Sequence, residues 1–171
     1  MRPPPFLPEE TLIRVLRLAK FDGVSALVLG ALFALVSAAS GQLPFTAIGL
    51  LAAGAGAIEL HGAELIRQGE PRGMNWLIAS QGLMLLVIFS YCGMRLWLIA
   101  PAATPEHFQE LFTASAAQWG MSLDDYLQVL NRLTALAVAL VGIGFQGGMA
   151  RYYWRRRQPI AQALAMETDE V

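Results

Sequence analysis

The sequence predicts an all-α integral membrane protein: a four-helix transmembrane bundle, N and C termini cytoplasmic, with an amphipathic surface helix in the outer loop between spans 3 and 4. Three observations carry this expectation. Of 171 residues, 56% are hydrophobic and 15% are charged, against roughly a quarter charged in an average soluble domain. Too few polar side chains remain to cover a soluble surface. The stretch from Gly23 to Ile58 holds no charged residue, and most of the basic residues fall on one side of the apolar runs.

The spans follow in order. As a single helix, Gly23–Ile58 would be about 54 Å long, nearly twice the roughly 30 Å hydrocarbon core. It has to fold back, and Ser40-Gly41-Gln42-Leu43-Pro44 supplies the turn chemistry. The apolar run Leu27–Ala39 ends in small residues, like the core of a cleavable leader. About twenty residues precede it, however, and they include the acidic Glu9, Glu10 and Asp22, so a retained first span is expected. From Pro44 to Ile58 the chain makes only about 22 Å of helix, so the second span must continue through Glu59, His61 and Glu64. Gln68-Gly69-Glu70-Pro71-Arg72-Gly73 breaks the pattern, and a third span runs to Pro101. The fourth centres on the apolar run from Leu133 to Ala150, bracketed by Arg132 and Arg151.

The chain thus reads as a single membrane domain over residues 1–157. Its spans lie at about 21–40, 44–66, 74–100 and 133–154, its outer loop with the surface helix at 101–132, and a polar, mobile cytoplasmic tail at 158–171. When sides alternate, ten of the twelve lysines and arginines fall on one face, and Arg95 and Arg132 fall on the other. The excess of basic residues marks the cytoplasmic face. A multi-pass protein of a bacterial-type inner (plasma) membrane is expected. Trp76, Tyr152, Tyr153 and Trp154 fit an inner aromatic belt, with Trp97 and Tyr126 in an outer one.

Outside the hydrocarbon, Pro8 to Phe21 reads as a basic amphipathic helix leading into the first span, an interfacial anchor. Leu12, Ile13, Leu16 and Ala19 give its apolar side, while Arg14, Arg17 and Lys20 reach toward headgroups. In the outer loop, Thr104-Pro105-Glu106 is a helix start, and Phe108, Leu111, Phe112, Ala116 and Trp119 recur at helical spacing up to Gly120. Ser122 followed by Asp124 and Asp125 is a second start, from which a helix is expected to run unbroken into the fourth span.

Polar groups within the spans are the functional lead, because they are costly in hydrocarbon and turn toward a partner or water. Counted from the cytoplasmic helix ends, Glu59 and Gln81 lie about 10 Å deep and Gln146 about 7 Å. The candidate ion or solute site is therefore drawn from Glu59, His61, Glu64, Gln81 and Gln146. On a helical wheel His61 and Glu64 are about 60° apart, whereas Glu59 is about 160° from His61 and about 140° from Glu64. One helix cannot aim all three at one ion. Glu64 can instead pair with Arg67 three residues on. Gln81 and Gln146 can bond across helices. Ala26, Gly30, Ala34 and Ala38 repeat every fourth residue, and Gly144 and Gly148 form a GxxxG pair. Gly30, Gly144 and Gly148 are the candidate helix-packing positions.

Several classes are excluded or demoted. One cysteine, Cys92, permits no intrachain disulfide. His61 and His107 fall on opposite sides, which disfavours haem held between two histidines, and the Glu59–His61–Glu64 spacing is wrong for a metal. Gly142-Ile143-Gly144-Phe145-Gln146-Gly147 matches GxGxxG, but no strand precedes it and it lies within a membrane helix. No metal, cofactor or nucleic acid is expected; the partners are the lipid bilayer and either further copies of the chain or another membrane protein. The favoured expectation is an oligomeric channel or transporter-like conduit for ions or small solutes, using the polar level in the inner half of the membrane. The alternative is a non-catalytic membrane scaffold or accessory subunit. An enzyme is the less favoured reading, since no second catalytic group is recognisable beside Glu59 or His61.

Overall fold

The turn residues read from the sequence are where the helices stop. The computed structural model describes residues 8–97 and 106–169, with side chains over 9–97 and 109–165. Five helices and no strand occur among them: α1 (Pro8–Ala39), α2 (Leu43–Arg67), α3 (Gly73–Trp97), α4 (Glu106–Gln118) and α5 (Leu123–Asp169). After α1, the Gly41 N–H bonds Ala38 O at 3.0 Å and the Gln42 N–H bonds Ser37 O at 2.8 Å. This closure needs the left-handed φ of +69° that Gly41 adopts. Pro44 then stands in the first turn of α2, where no amide donor is required. Gly69 ends α2 in the same way, at φ +83°, and Gly120 follows α4 where the sequence places it. Ser122 caps α5: its Oγ accepts the Asp125 N–H at 3.1 Å and donates to Asp125 Oδ2 at 2.7 Å.

Four of these helices, α1, α2, α3 and α5, are long and apolar enough to cross a membrane. Their surface chemistry is inverted relative to a soluble fold. Leu29, Leu35, Val36, Leu50, Leu86 and Val141 are exposed, while Glu59, Ser80, Gln81 and Gln146 are buried. An apolar exterior with polar atoms inside is stable only in a lipid solvent, so the chain is a multi-pass membrane protein.

Two compact units are formed, one by Met1–Val87 with Ile143–Val171, the other by Ile88–Gly142. In the first, α1 and α2 make an antiparallel hairpin whose backbones touch through small residues. A Cβ on Gly30 would lie 2.5 Å from Ala53 N, one on Gly56 2.5 Å from Leu27 N, and one on Gly23 3.0 Å from Leu60 Cγ. Position 30 is thereby paired with 53, 27 with 56 and 23 with 60. Where α2 turns into α3, Gly73 backs onto Gly62 O so closely that no side chain fits. One core joins Val15 and Ala19 of α1, Ala63 and Ile66 of α2, Met74 and Leu77 of α3, and Met149, Tyr153, Ile160 and Leu164 of α5.

In the second unit, Gly142 packs on Ile88, where a Cβ would come within 2.9 Å of Cδ1. Cys92 donates its S–H to Ala135 O at 3.4 Å, and Asn131 Nδ2 donates to Arg95 O at 3.1 Å. Phe112 of α4 lies 6.4 Å from Tyr126, ring to ring.

Two expectations are revised. The segment Pro8 to Phe21 leads into the first span as expected, but it is packed on the protein core rather than serving only as an interfacial anchor. Thr11, Val15, Ala19, Gly23, Gly30 and Ala34 form one buried stripe along an unbroken α1; Leu12 and Leu16 pack partly against the core, while Ile13 stays exposed. Nor are residues 158–169 a mobile tail: α5 stays helical through Pro159 to Asp169, with Ile160, Ala163 and Leu164 buried. Their spacing continues the alternating three- and four-residue seam of Gly142, Gln146, Met149 and Tyr153. The expected end of the third span at Pro101 and the Thr104-Pro105 helix start lie outside the described residues, as do the side chains of His107 and Phe108.

Candidate functional site

Glu59 is 3% exposed, on α2, eight residues before its end at Arg67. Gln81, 1% exposed, stands eight residues after the start of α3 at Gly73. The two are thus level, each about 12 Å along its helix from the α2–α3 turn. Gln81 Nε2 donates to Glu59 Oε2 at 3.0 Å and also to Asp22 Oδ2 of α1 at 3.3 Å. The Tyr153 hydroxyl of α5 donates to Glu59 Oε1 at 2.8 Å. Four helical segments therefore meet at one polar cluster: two carboxyl groups, one amide and one phenol. Both oxygens of Glu59 accept from uncharged donors. Gln81 Oε1, buried beside them, has no hydrogen-bond partner.

The helices place these groups for identifiable reasons. The hairpin register pairs 23 with 60, which brings Asp22 to the level of 61 and within about 3 Å along the axis of Glu59. Tyr153 is 0% exposed and stands seven residues after Gln146, two turns along the same face of α5. Ser80, next to Gln81, is satisfied by its own helix through Leu77 O at 2.8 Å.

The sequence candidates separate into two groups. Glu59 and Gln81 are in direct contact. Gln146 is buried on the face of Tyr153, its Oε1 without a partner. Glu64 is held elsewhere: Arg67 Nε and Nη2 donate to its two oxygens at 2.8 and 2.7 Å, and Gln68 Nε2 donates to it at 2.9 Å. His61 is exposed, with its ring edge-on to Trp76 at 5.5 Å. Of the packing glycines, Gly30 lies against the backbone of α2, while Gly144 and Gly148 have no atom within 4 Å of where a Cβ would stand. Sequence reasoning did not assign Asp22 and Tyr153 to the site. The seven-residue step from Gln146 could have identified Tyr153, and Asp22 follows once the small-residue register of the hairpin is known.

Around the α2–α3 turn the side chains are basic. Arg157 donates to Asn75 Oδ1 and lies 4.7 Å above the Trp154 ring, and Arg156 covers Tyr152 at 4.4 Å. Arg72 pairs with Glu70 at 2.7 Å. Among the described residues no group of three or more His, Cys, Asp or Glu is placed to hold a metal ion. Compared with family models, with curated proteins and with solved structures, the chain matches none. Its class is defined by its own features: an all-helical, multi-pass membrane protein with a carboxyl–amide–phenol cluster buried between its spans.

Proposed function

We propose that the chain is a conduit for ions or small solutes, working as an oligomer, with the Glu59–Gln81 cluster as its selective site. The observation that carries this reading is Glu59 itself. A carboxyl group buried among apolar spans is expensive to keep, and in membrane proteins such groups mark ion and proton pathways. Structural glue would need only one amide pair, whereas here two carboxyl groups converge on one amide from different helices. Asp22 is half-buried rather than enclosed, so the cluster reaches the edge of the packed helices at its α1 side.

Ten of twelve basic residues favour the side of the α2–α3 turn, so both termini and the near end of the cluster would face the cytoplasm of a bacterial-type inner membrane. A second reading, a scaffold or accessory subunit, is favoured by Gly144 and Gly148, whose open faces allow another helix to approach closely.

Ion flux into proteoliposomes separates the two readings. A conduit requires wild-type flux to fall at least tenfold in Glu59→Gln at matched reconstitution. A scaffold shows no flux in either protein, and bulky substitutions at Gly144 disrupt its assembly instead.

A further inference from the structure

The cluster is short of one hydrogen. Leaving aside Oδ1 of the half-buried Asp22, its acceptors are both oxygens of Glu59, Oδ2 of Asp22 and Oε1 of Gln81; its donors are the Tyr153 hydroxyl and the two N–H bonds of Gln81 Nε2. Three donor hydrogens face four acceptor atoms, and the orphan is Gln81 Oε1, on a side chain 1% exposed. We infer that the ion taken by this site is a single proton, shared by Asp22 and Glu59 and held against the Gln81 amide. The inference rests on the conduit reading for its biological role.

Charge balance points the same way. Both carboxyl oxygens touch one nitrogen, so they lie no more than about 6 Å apart. Two anions at that separation, bridged by a neutral amide, repel strongly where water is scarce. The groups that face them are Tyr153 from α5, with Tyr152 5.7 Å from it, and the uncharged Gln81 from α3. None of these brings a positive charge. One added proton halves the negative charge and supplies the missing donor together. A water molecule would supply hydrogens and leave both charges in place.

The geometry also selects a proton over a metal cation. A hard cation needs several oxygen ligands converging on one point, whereas each Glu59 oxygen already accepts from an O–H or N–H donor and no third carboxyl group joins the cluster among the described residues. The amide of Gln81 presents its oxygen and one N–H along a single edge. A carboxylate can satisfy only the N–H half of that edge, because its second oxygen would meet Oε1 lone pair to lone pair. A carboxylic acid satisfies both halves, with its O–H donating to Oε1 and its carbonyl accepting from Nε2. The step is a plain transfer: a proton from bulk water bonds to one oxygen of Asp22 or Glu59, and release returns it to water.

Two readouts on the full chain in lipid test this. The first is infrared difference spectroscopy through a pH jump, following the carboxylic-acid C=O band that shifts in deuterated water. The band is expected at neutral pH in wild type and lost in both Glu59→Gln and Asp22→Asn, which lie on different helices and are checked for native helicity. The second is flux driven by a pH gradient with sodium and potassium replaced by an impermeant cation, expected in wild type and lost in Glu59→Gln. A band absent from wild type, or unchanged in both variants, overturns the proton assignment. If Glu59-dependent sodium or potassium flux accompanies that result, the conduit survives without it. A band lost in the variants, with no flux of any ion, supports the shared proton and removes the conduit.

Discussion

Gly56→Ala tests one of the tightest approaches between α1 and α2. A Cβ at position 56 would stand 2.5 Å from Leu27 N and 2.6 Å from Gly23 O, whereas carbon reaches comfortable contact near 3.5–4.0 Å. Both obstructing atoms are backbone, so no rotamer change can clear them, and the helices must separate locally by about 1 Å. Overpacking of this kind costs about 1–3 kcal/mol. The helix-propensity gain of alanine over glycine returns about 1 kcal/mol, leaving a net loss of roughly 0–2 kcal/mol. Gly144→Ala is the matched control. With open space around its Cβ, it keeps only the propensity gain, so its change is zero or mildly stabilising. Reversible unfolding in mixed micelles, followed by circular dichroism, gives both midpoints. Equal shifts in the two variants would refute the claim that backbone contact at Gly56 holds the hairpin together.

Two further expectations can be checked on the same preparation. Ile160→Ala removes a fully buried side chain from the core shared by α1 and α5, and should cost about 2–4 kcal/mol; a change below about 0.5 kcal/mol, typical of a surface site, would mean that the end of α5 is not docked. Cys92 is buried, with its sulfur on Ala135 O. A membrane-permeant maleimide should therefore leave it unmodified in the folded protein and label it fully in denaturant, and rapid labelling of native protein would contradict the packing of that unit.

The four spans were legible because their signal is cumulative. A run such as Gly23–Ile58 has no soluble explanation, and its length alone forces the hairpin at Gly41. Helix starts and stops were equally readable at Ser122, Gly69 and Gly120, where one residue's local chemistry decides the outcome. The two ends of the chain were harder. Arg14, Arg17 and Lys20 on α1, and Arg155, Arg156 and Arg157 on α5, suggest water and headgroups. The residues that decide the packing, Val15, Ala19, Ile160 and Leu164, are thinly spaced among those charges and become a core only once they meet. The site divided along the same line. Glu59 and Gln81 stood out as single anomalies of depth, whereas Asp22 stood only among the acids ahead of the first apolar run and Tyr153 looked like a belt aromatic. Their roles depend on helix register, which sequence periodicity does not specify.

The inverted surface has a thermodynamic consequence. A soluble chain gains about 12–15 cal/mol/K of heat capacity per residue on unfolding, because apolar surface passes from protein into water. Here well under half of each span is buried inside the protein. When the helices separate within the bilayer, outward residues such as Leu29 and Val141 exchange nothing, and inward ones exchange protein for lipid. Little apolar area is hydrated in that step, so the strong curvature that limits soluble domains in both heat and cold is largely absent. The stability of the folded bundle segments should therefore vary gently with temperature, and the phase behaviour of the host lipid becomes the sharper thermal boundary.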